Sequence, residues 1–124
     1  MSMKSLLVIH AVIYALFAIV VFFIPDTLWP LYGVSVNDQY ARFLSQHNSI
    51  FLGGIAIIAL LFSRTESDVV GTRILVTGLF WTHFLGVAVT LYACLIGVFI
   101  GFGWSDPAFF ALMAGLCVWS LQKK

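Results

Sequence analysis

Four long apolar runs separated by short polar stretches set the pattern of this chain: Leu6–Ile24, Phe43–Phe62, Ile74–Ile100 and Ala108–Leu121. None of them contains Asp, Glu, Lys or Arg. A helix that crosses a bilayer needs about 20 predominantly apolar residues, with a range of about 17–25, so the first three runs qualify by length. The fourth is shorter, but the uncharged stretch Gly101–Trp104 ahead of it can extend it. Boundary signals sharpen the ends. Pro25 stops a helix at the residue before it, Asn37 or Asp38 can cap the second helix, and Asp106-Pro107 reads as a helix start with proline in the first turn. The expected fold is all-α, a four-transmembrane-helix bundle in a single domain, 1–124, with helices at about 5–24, 39–63, 70–100 and 106–121.

Composition agrees with that reading. Charged residues make up 9% of the chain and apolar ones 62%, against about 25% charged in an ordinary soluble domain. Mean hydropathy is +1.08. A soluble fold this small could not bury so much apolar surface, because its surface is large relative to its volume. Lys4 ahead of an apolar run raises the possibility of a secretory leader. The run is longer than the usual leader core and no Ala-x-Ala site precedes Asp26, so it is expected to stay as the first membrane helix.

Charge changes the picture only through its distribution. Four helices place both termini and the middle loop on one side, with Lys4, Arg64, Arg73, Lys123 and Lys124. The opposite side carries Arg42 alone among basic residues, with Asp26, Asp38 and Asp106. Loops rich in Lys and Arg stay inside, so both termini are expected in the cytoplasm, N-in and C-in, of a bacterial inner membrane. No basic patch points to nucleic acid. Cys94 and Cys117 lie toward opposite ends of their helices and are too far apart to pair, given a rise of about 1.5 Å per residue; they read as small buried apolar groups.

Small residues mark the faces expected to pack. Gly78, Thr82, Gly86, Thr90, Ala93, Gly97 and Gly101 recur every three or four residues on the third helix. Ser49, Gly53 and Ala56 on the second and Ala11, Ala15 and Ala18 on the first form shorter stripes. Close backbone approach along such stripes drives helix association in lipid. These faces are expected to build the bundle, or to dock a second subunit.

Polar side chains at membrane depth are costly and call for a function or a partner. Arg42, Gln46, His47 and Asn48 cluster at the outer end of the second helix but point to different sides; the Arg42 stem can carry its charge back to water. His10, His47 and His83 sit on three helices. Counted along each helix at about 1.5 Å per residue, they fall roughly 7, 22 and 15 Å from the inner edge. Zinc needs every ligand nitrogen about 2 Å away, so no metal site is expected among them. A bis-histidine haem, pairing His83 with His47 or with His10, is the redox alternative. His83, with Thr82 beside it and Gln46 or Tyr14 as candidate neighbours, could instead hydrogen-bond a quinone or another lipid-like ligand, or simply a neighbouring helix. No paired carboxylates, nucleophile with a base, or phosphate-binding glycine loop is present.

The stretches "IPDTLWPLYGV" and "YARFLSQHNSIFLGGIAIIALL", followed by a glycine-rich third helix, resemble the DoxX-like group of small four-helix membrane proteins. The resemblance covers the first two helices and their loop, and implies a four-helix bundle and a partner in a quinone-linked redox complex. "RFLSQHN" is also similar to the second helix of the MAPEG glutathione-linked enzymes, which implies a membrane enzyme. The glutamate that follows in that family and its glutathione-holding basic residues are missing here.

The reading that combines these observations is a small non-catalytic integral membrane protein, an accessory subunit or binding module. Its partners are the bilayer and another membrane protein, a second copy of itself, or a lipid-like ligand, with haem or quinone as the possible cofactors. The candidate ligand-binding residues are His83, Thr82, Gln46, His47 and Arg42, and the packing glycines are Gly53, Gly78, Gly86 and Gly97. The orientation is open to direct test. A reporter that works only in the cytoplasm, fused after Lys124, is expected to be active, and activity of a periplasm-only reporter at the same site would overturn the topology.

Overall fold

The computed structural model describes residues 1–65 and 69–122. Among the described residues the chain is helical, with no strand, and four helices are long and apolar enough to cross a membrane. α1 spans Met3–Phe23, the short α2 Pro25–Leu31, α3 Gln39–Ser63, α4 Val69–Leu95 and α5 Ser105–Leu121, the last preceded by a 3-10 turn at Gly101–Trp104.

Local chemistry explains most of these ends. Ser2 caps α1, its hydroxyl accepting from the Ser5 N–H, and Asp38 caps α3 by accepting from the Ala41 N–H at 2.8 Å. Such caps satisfy backbone donors that the first helical turn leaves open. Pro25 closes α1 and starts α2 at its first position. α2 is held at the end of the bundle where α1 stops and α3 starts by two side-chain contacts, one of them relayed to α1. The Trp29 indole N–H donates to Ser45 Oγ at 2.7 Å, Ser45 in turn donates to the Val21 carbonyl, and Arg42 pairs with Asp26 at 2.7 Å.

One boundary differs from the periodicity. The third spanning helix is expected to run to residue 100 with Gly97 on its packing face, but α4 stops at Leu95. Gly97 takes a φ of +83°. The Val98 N–H reaches back to the Ala93 carbonyl and the Gly97 N–H to the Cys94 carbonyl. This is the Schellman arrangement, in which a left-handed glycine terminates a helix and satisfies its last carbonyls. Gly97 is exposed and acts as a stop signal. Ile100, just beyond, donates its N–H to the Tyr32 carbonyl, which docks the turn on the segment after α2.

The helices pair as two hairpins. α1 lies along α3, α4 lies along α5, and α1 also touches α4 and α5. Leu6, Leu7 and Ala11 of α1 meet Ala59 of α3, Val76 and Leu79 of α4 and Cys117 of α5 in one buried cluster. The buried residues of α3 are all small: Ser45, Ala56, Ala59 and Ser63. Its exposed face carries Phe43, Leu44, Ile50, Phe51, Ile57, Ile58 and Leu61. That distribution suits lipid, where bulk gains nothing by hiding and close approach gains dispersion contacts. A Cβ on Gly53 would lie 3.8 Å from Ala18, so this glycine sits where α3 faces the alanine stripe of α1.

The glycines of α4 divide by position. The Phe110 ring of α5 packs on Gly86, and a Cβ there would come within 2.5–2.8 Å of the ring. Gly78 and Thr82 point outward and are exposed, and a Cβ on Gly78 would meet nothing within 4 Å. The stripe therefore does not face one neighbour along its length, because α5 covers only its upper part. Gly86→Ala is expected to lower stability by about 1–3 kcal/mol through overpacking against a rigid ring. Gly78→Ala should be neutral or stabilising by up to about 1 kcal/mol, the helix propensity gained. Thermal unfolding of both variants in detergent checks the pair, and equal loss at both sites would contradict this packing.

Candidate functional site: a buried histidine pair beneath an aromatic pocket

Leu6, His10 and Tyr14 are spaced four apart and share the inward face of α1, as the 3.6-residue period requires. All three are buried, and His10 is fully so. His83, equally buried, comes from α4. The two imidazoles meet edge to edge with Nε2 to Nε2 at 2.8 Å. His10 Nδ1 lies 2.9 Å from the Leu6 carbonyl, and the Tyr14 hydroxyl lies 3.3 Å from His83 Nδ1.

These contacts assign the protons if both rings are neutral, the form that a dry interior favours. A carbonyl only accepts, so His10 Nδ1 carries its proton and Nε2 is left as a lone pair. The short Nε2–Nε2 contact then needs the proton of His83. His83 Nδ1 is in turn an acceptor and takes the Tyr14 O–H. The result is a directed chain of donors: Tyr14 to His83, His83 to His10, His10 to Leu6. Phe109 and Phe110 of α5 close over His83, with ring centroids 6.5 and 5.8 Å away. Cys117 Sγ completes the group, and one ligand atom from each of His10, His83 and Cys117 lies within 4.8 Å of the others.

Above this chain is a cavity of about 230 Å³. Its walls are Tyr14 and Phe17 of α1, Trp29 of α2, Asn48 and Phe51 of α3, and Asp106, Phe109 and Phe110 of α5. Tyr14 is the shared element, bonding to His83 on one side and lining the cavity on the other. Tyr32, also in the wall, is outside the spanning helices. Burial raises its phenol pKa above the ordinary value and the Asp106 charge adds to the shift, against a smaller opposing effect from a Ser105 hydrogen bond; the group is a neutral hydroxyl.

The expected site residues separate in the structure. His83 lies in the cluster. Thr82 faces outward and turns its hydroxyl back to the Gly78 carbonyl. Gln46 donates to the Phe22 carbonyl at 3.2 Å, and Arg42 is engaged with Asp26 in an exposed ion pair. His47 is exposed between Phe43 and Phe51 of its own helix, so it is not the partner of His83. The expected difference in depth between His10 and His83 is also corrected. His10 is seven residues into α1 and His83 fourteen into α4, yet their rings touch, because helix tilt and side-chain reach absorb the difference in rungs. An iron between two imidazoles would need axial nitrogens roughly 4 Å apart, twice a bond of about 2 Å. At 2.8 Å the two nitrogens are instead hydrogen-bonded directly to each other.

Tyr14, one of the two expected neighbours of His83, is in the site, whereas Cys117, Asn48 and Asp106 were not singled out for it. The four-residue spacing of Leu6, His10 and Tyr14 was the available signal for part of it. Comparison with protein-family models, with curated proteins and with solved structures found no match to this chain.

The histidine bond predicts a specific pattern of stability. His83→Leu leaves His10 Nε2 buried without a donor and is expected to cost about 1–3 kcal/mol. Replacing both, His10→Leu with His83→Leu, removes donor and acceptor together and should cost less than the sum of the single changes. A double-mutant cycle on thermal stability measures this, and strict additivity would mean the contact contributes nothing.

Proposed function

We propose that this protein is a non-catalytic membrane-embedded binding module for a lipid-soluble ring compound bearing hydroxyl groups, of the quinol or phenol class, oriented with both termini in the cytoplasm. The observation that carries the reading is the aromatic cavity floored by Tyr14. Ligand sites are concave and mostly apolar, with a few convergent polar groups; here those groups are Tyr14, Asn48 and Asp106.

The proton assignment narrows the ligand. Tyr14 spends its O–H on His83, so its oxygen lone pairs remain to accept from a ligand hydroxyl. An ionised Asp106 accepts as well, and Asn48 can accept or donate. The donor of His83 is used by His10, so the ligand contacts Tyr14 rather than His83. At about 230 Å³ the cavity is smaller than the roughly 300–1,000 Å³ of drug-sized sites. It suits one substituted ring whose tail leaves between helices into lipid. The DoxX-like resemblance of the first two helices, with its quinone-linked partners, points the same way.

Orientation rests on charge placement. Lys4 and Arg64 gather at the end of the bundle where α1 begins and α3 ends, together with the start of α4 that carries Arg73. Asp26, Arg42 and Asp106 mark the opposite end, which supports the inside location of the first group.

Trp29 reports on the cavity directly. Titration of a short-tailed quinol into the protein in lipid nanodiscs is expected to quench tryptophan fluorescence saturably. Leu52 of α3 also lines the cavity, so quenching should be lost in Leu52→Trp, which fills it, and largely lost in Trp29→Phe. Tyr14→Phe should weaken binding about fivefold, the loss of one hydrogen bond of about 1 kcal/mol. Unchanged saturable quenching in Leu52→Trp would reject the cavity as the site.

A further inference from the structure

We propose that His10 Nε2, His83 Nε2 and Cys117 Sγ form a three-coordinate site for a soft monovalent transition-metal ion of the Cu⁺ class. The three residues come from different helices, α1, α4 and α5, all three are buried, and one ligand atom from each lies within 4.8 Å of the others. With metal–nitrogen bonds of about 2.0–2.1 Å and a metal–sulfur bond of about 2.3 Å, a trigonal set holds its ligands roughly 3.5–3.8 Å apart. The two imidazole nitrogens, at 2.8 Å, need to part by less than about 1 Å, well within the reach of side-chain torsions.

The surrounding hydrogen bonds are those a metal-binding histidine requires. A ligating imidazole donates its other N–H to a carbonyl or another acceptor, which fixes the tautomer and aims the ring. His10 does this already: Nδ1–H is held by the Leu6 carbonyl, which leaves the Nε2 lone pair facing His83 Nε2. His83 needs one tautomeric shift. Its proton moves from Nε2 to Nδ1 and is then donated to the Tyr14 oxygen, while the Tyr14 O–H turns toward the cavity. Both rings stay neutral. The one proton released is the Cys117 thiol proton, so ion entry replaces one positive charge with another and no redox change occurs at the protein.

Charge decides which ion. The site lies among spanning helices with Phe109 and Phe110 over it, and burying a net charge in such surroundings is costly. A thiolate with Cu⁺ is neutral overall, whereas the same ligands with Zn²⁺ leave a buried net charge of one. Thiolate softness favours Cu⁺ as well. The site is distinct from the cavity above, with Tyr14, Phe109 and Phe110 forming the partition between them.

The test is competition for Cu⁺, kept reduced by ascorbate, between the full-length protein in detergent and a chromophoric chelator. The protein is expected to hold one Cu⁺ per chain, with X-ray absorption showing two nitrogens near 2.0 Å and one sulfur near about 2.3 Å. Zn²⁺ should compete poorly. Cys117→Ser should weaken Cu⁺ at least about 100-fold, beyond the usual loss of an outer-shell partner, and Tyr14→Phe about 10-fold. His47→Ala, on the lipid-facing side of α3, should bind as the unaltered protein does. The proposal fails if the unaltered protein yields all its Cu⁺ to the chelator. It fails equally if the absorption spectrum shows no sulfur, or if folded Cys117→Ser, checked by thermal unfolding, retains full affinity.

Discussion

The bond between His10 and His83 joins two halves of the molecule that otherwise meet along a thin seam. α1 and α3 form one hairpin, α4 and α5 the other, and contact between them runs mainly through the inward face of α1. In hydrocarbon no water can satisfy an imidazole that loses its partner. Two helices that each carry one buried imidazole therefore have a strong reason to stay in register. Tyr14 and the Leu6 carbonyl extend the bond at both ends, and the neutral form of the chain needs a definite tautomer at each ring.

Packing on α3 is inverted relative to a soluble core, while α1 and α4 still bury Leu6, Leu7, Val76 and Leu79. Small side chains lie inside on α3 and on part of α4, and the large apolar ones face out. The reason is that lipid solvates a leucine as well as a protein interior does, so burial selects for close approach and not for bulk. Polar residues follow the same economy of partners. Thr82, Thr90 and Thr77 turn their hydroxyls to carbonyls of their own helix, and Gln46 bonds to the end of α1. His10 and His83, the fully buried imidazoles of α1 and α4, satisfy each other across the two helices.

The seam also explains where space remains. Near the end where α1 begins, Leu6, Leu7, Val76, Leu79 and Cys117 close the gap between hairpins. Farther out, the rings of Tyr14, Phe17, Phe109 and Phe110 hold the helices apart, and α2 lies across the opening through Trp29. Rings that touch at centroid distances between 5 and 7 Å cannot fill the volume between four helices as branched aliphatic side chains would. The cavity is the consequence, with Tyr14 as its floor and Asn48 and Asp106 in its walls.

Run length, proline and capping residues are local properties, and by themselves they determined the helical class, the four spanning segments, the stop at Pro25 and the start at Asp38. Each depends on a few neighbouring residues and on the bilayer thickness. The tertiary structure alone decided three things. Gly97 could serve equally as a packing residue or as a helix stop, and the stop follows from a turn that must meet Tyr32. Gly78 and Gly86 share a stripe, but only the placement of α5 puts Phe110 on one of them. Counting rungs from the ends of apolar runs separates His10 from His83, because it measures depth along one helix at a time. Tilt, rotation and side-chain reach belong to the packed bundle, and those bring His10, His83, Tyr14 and Cys117 together.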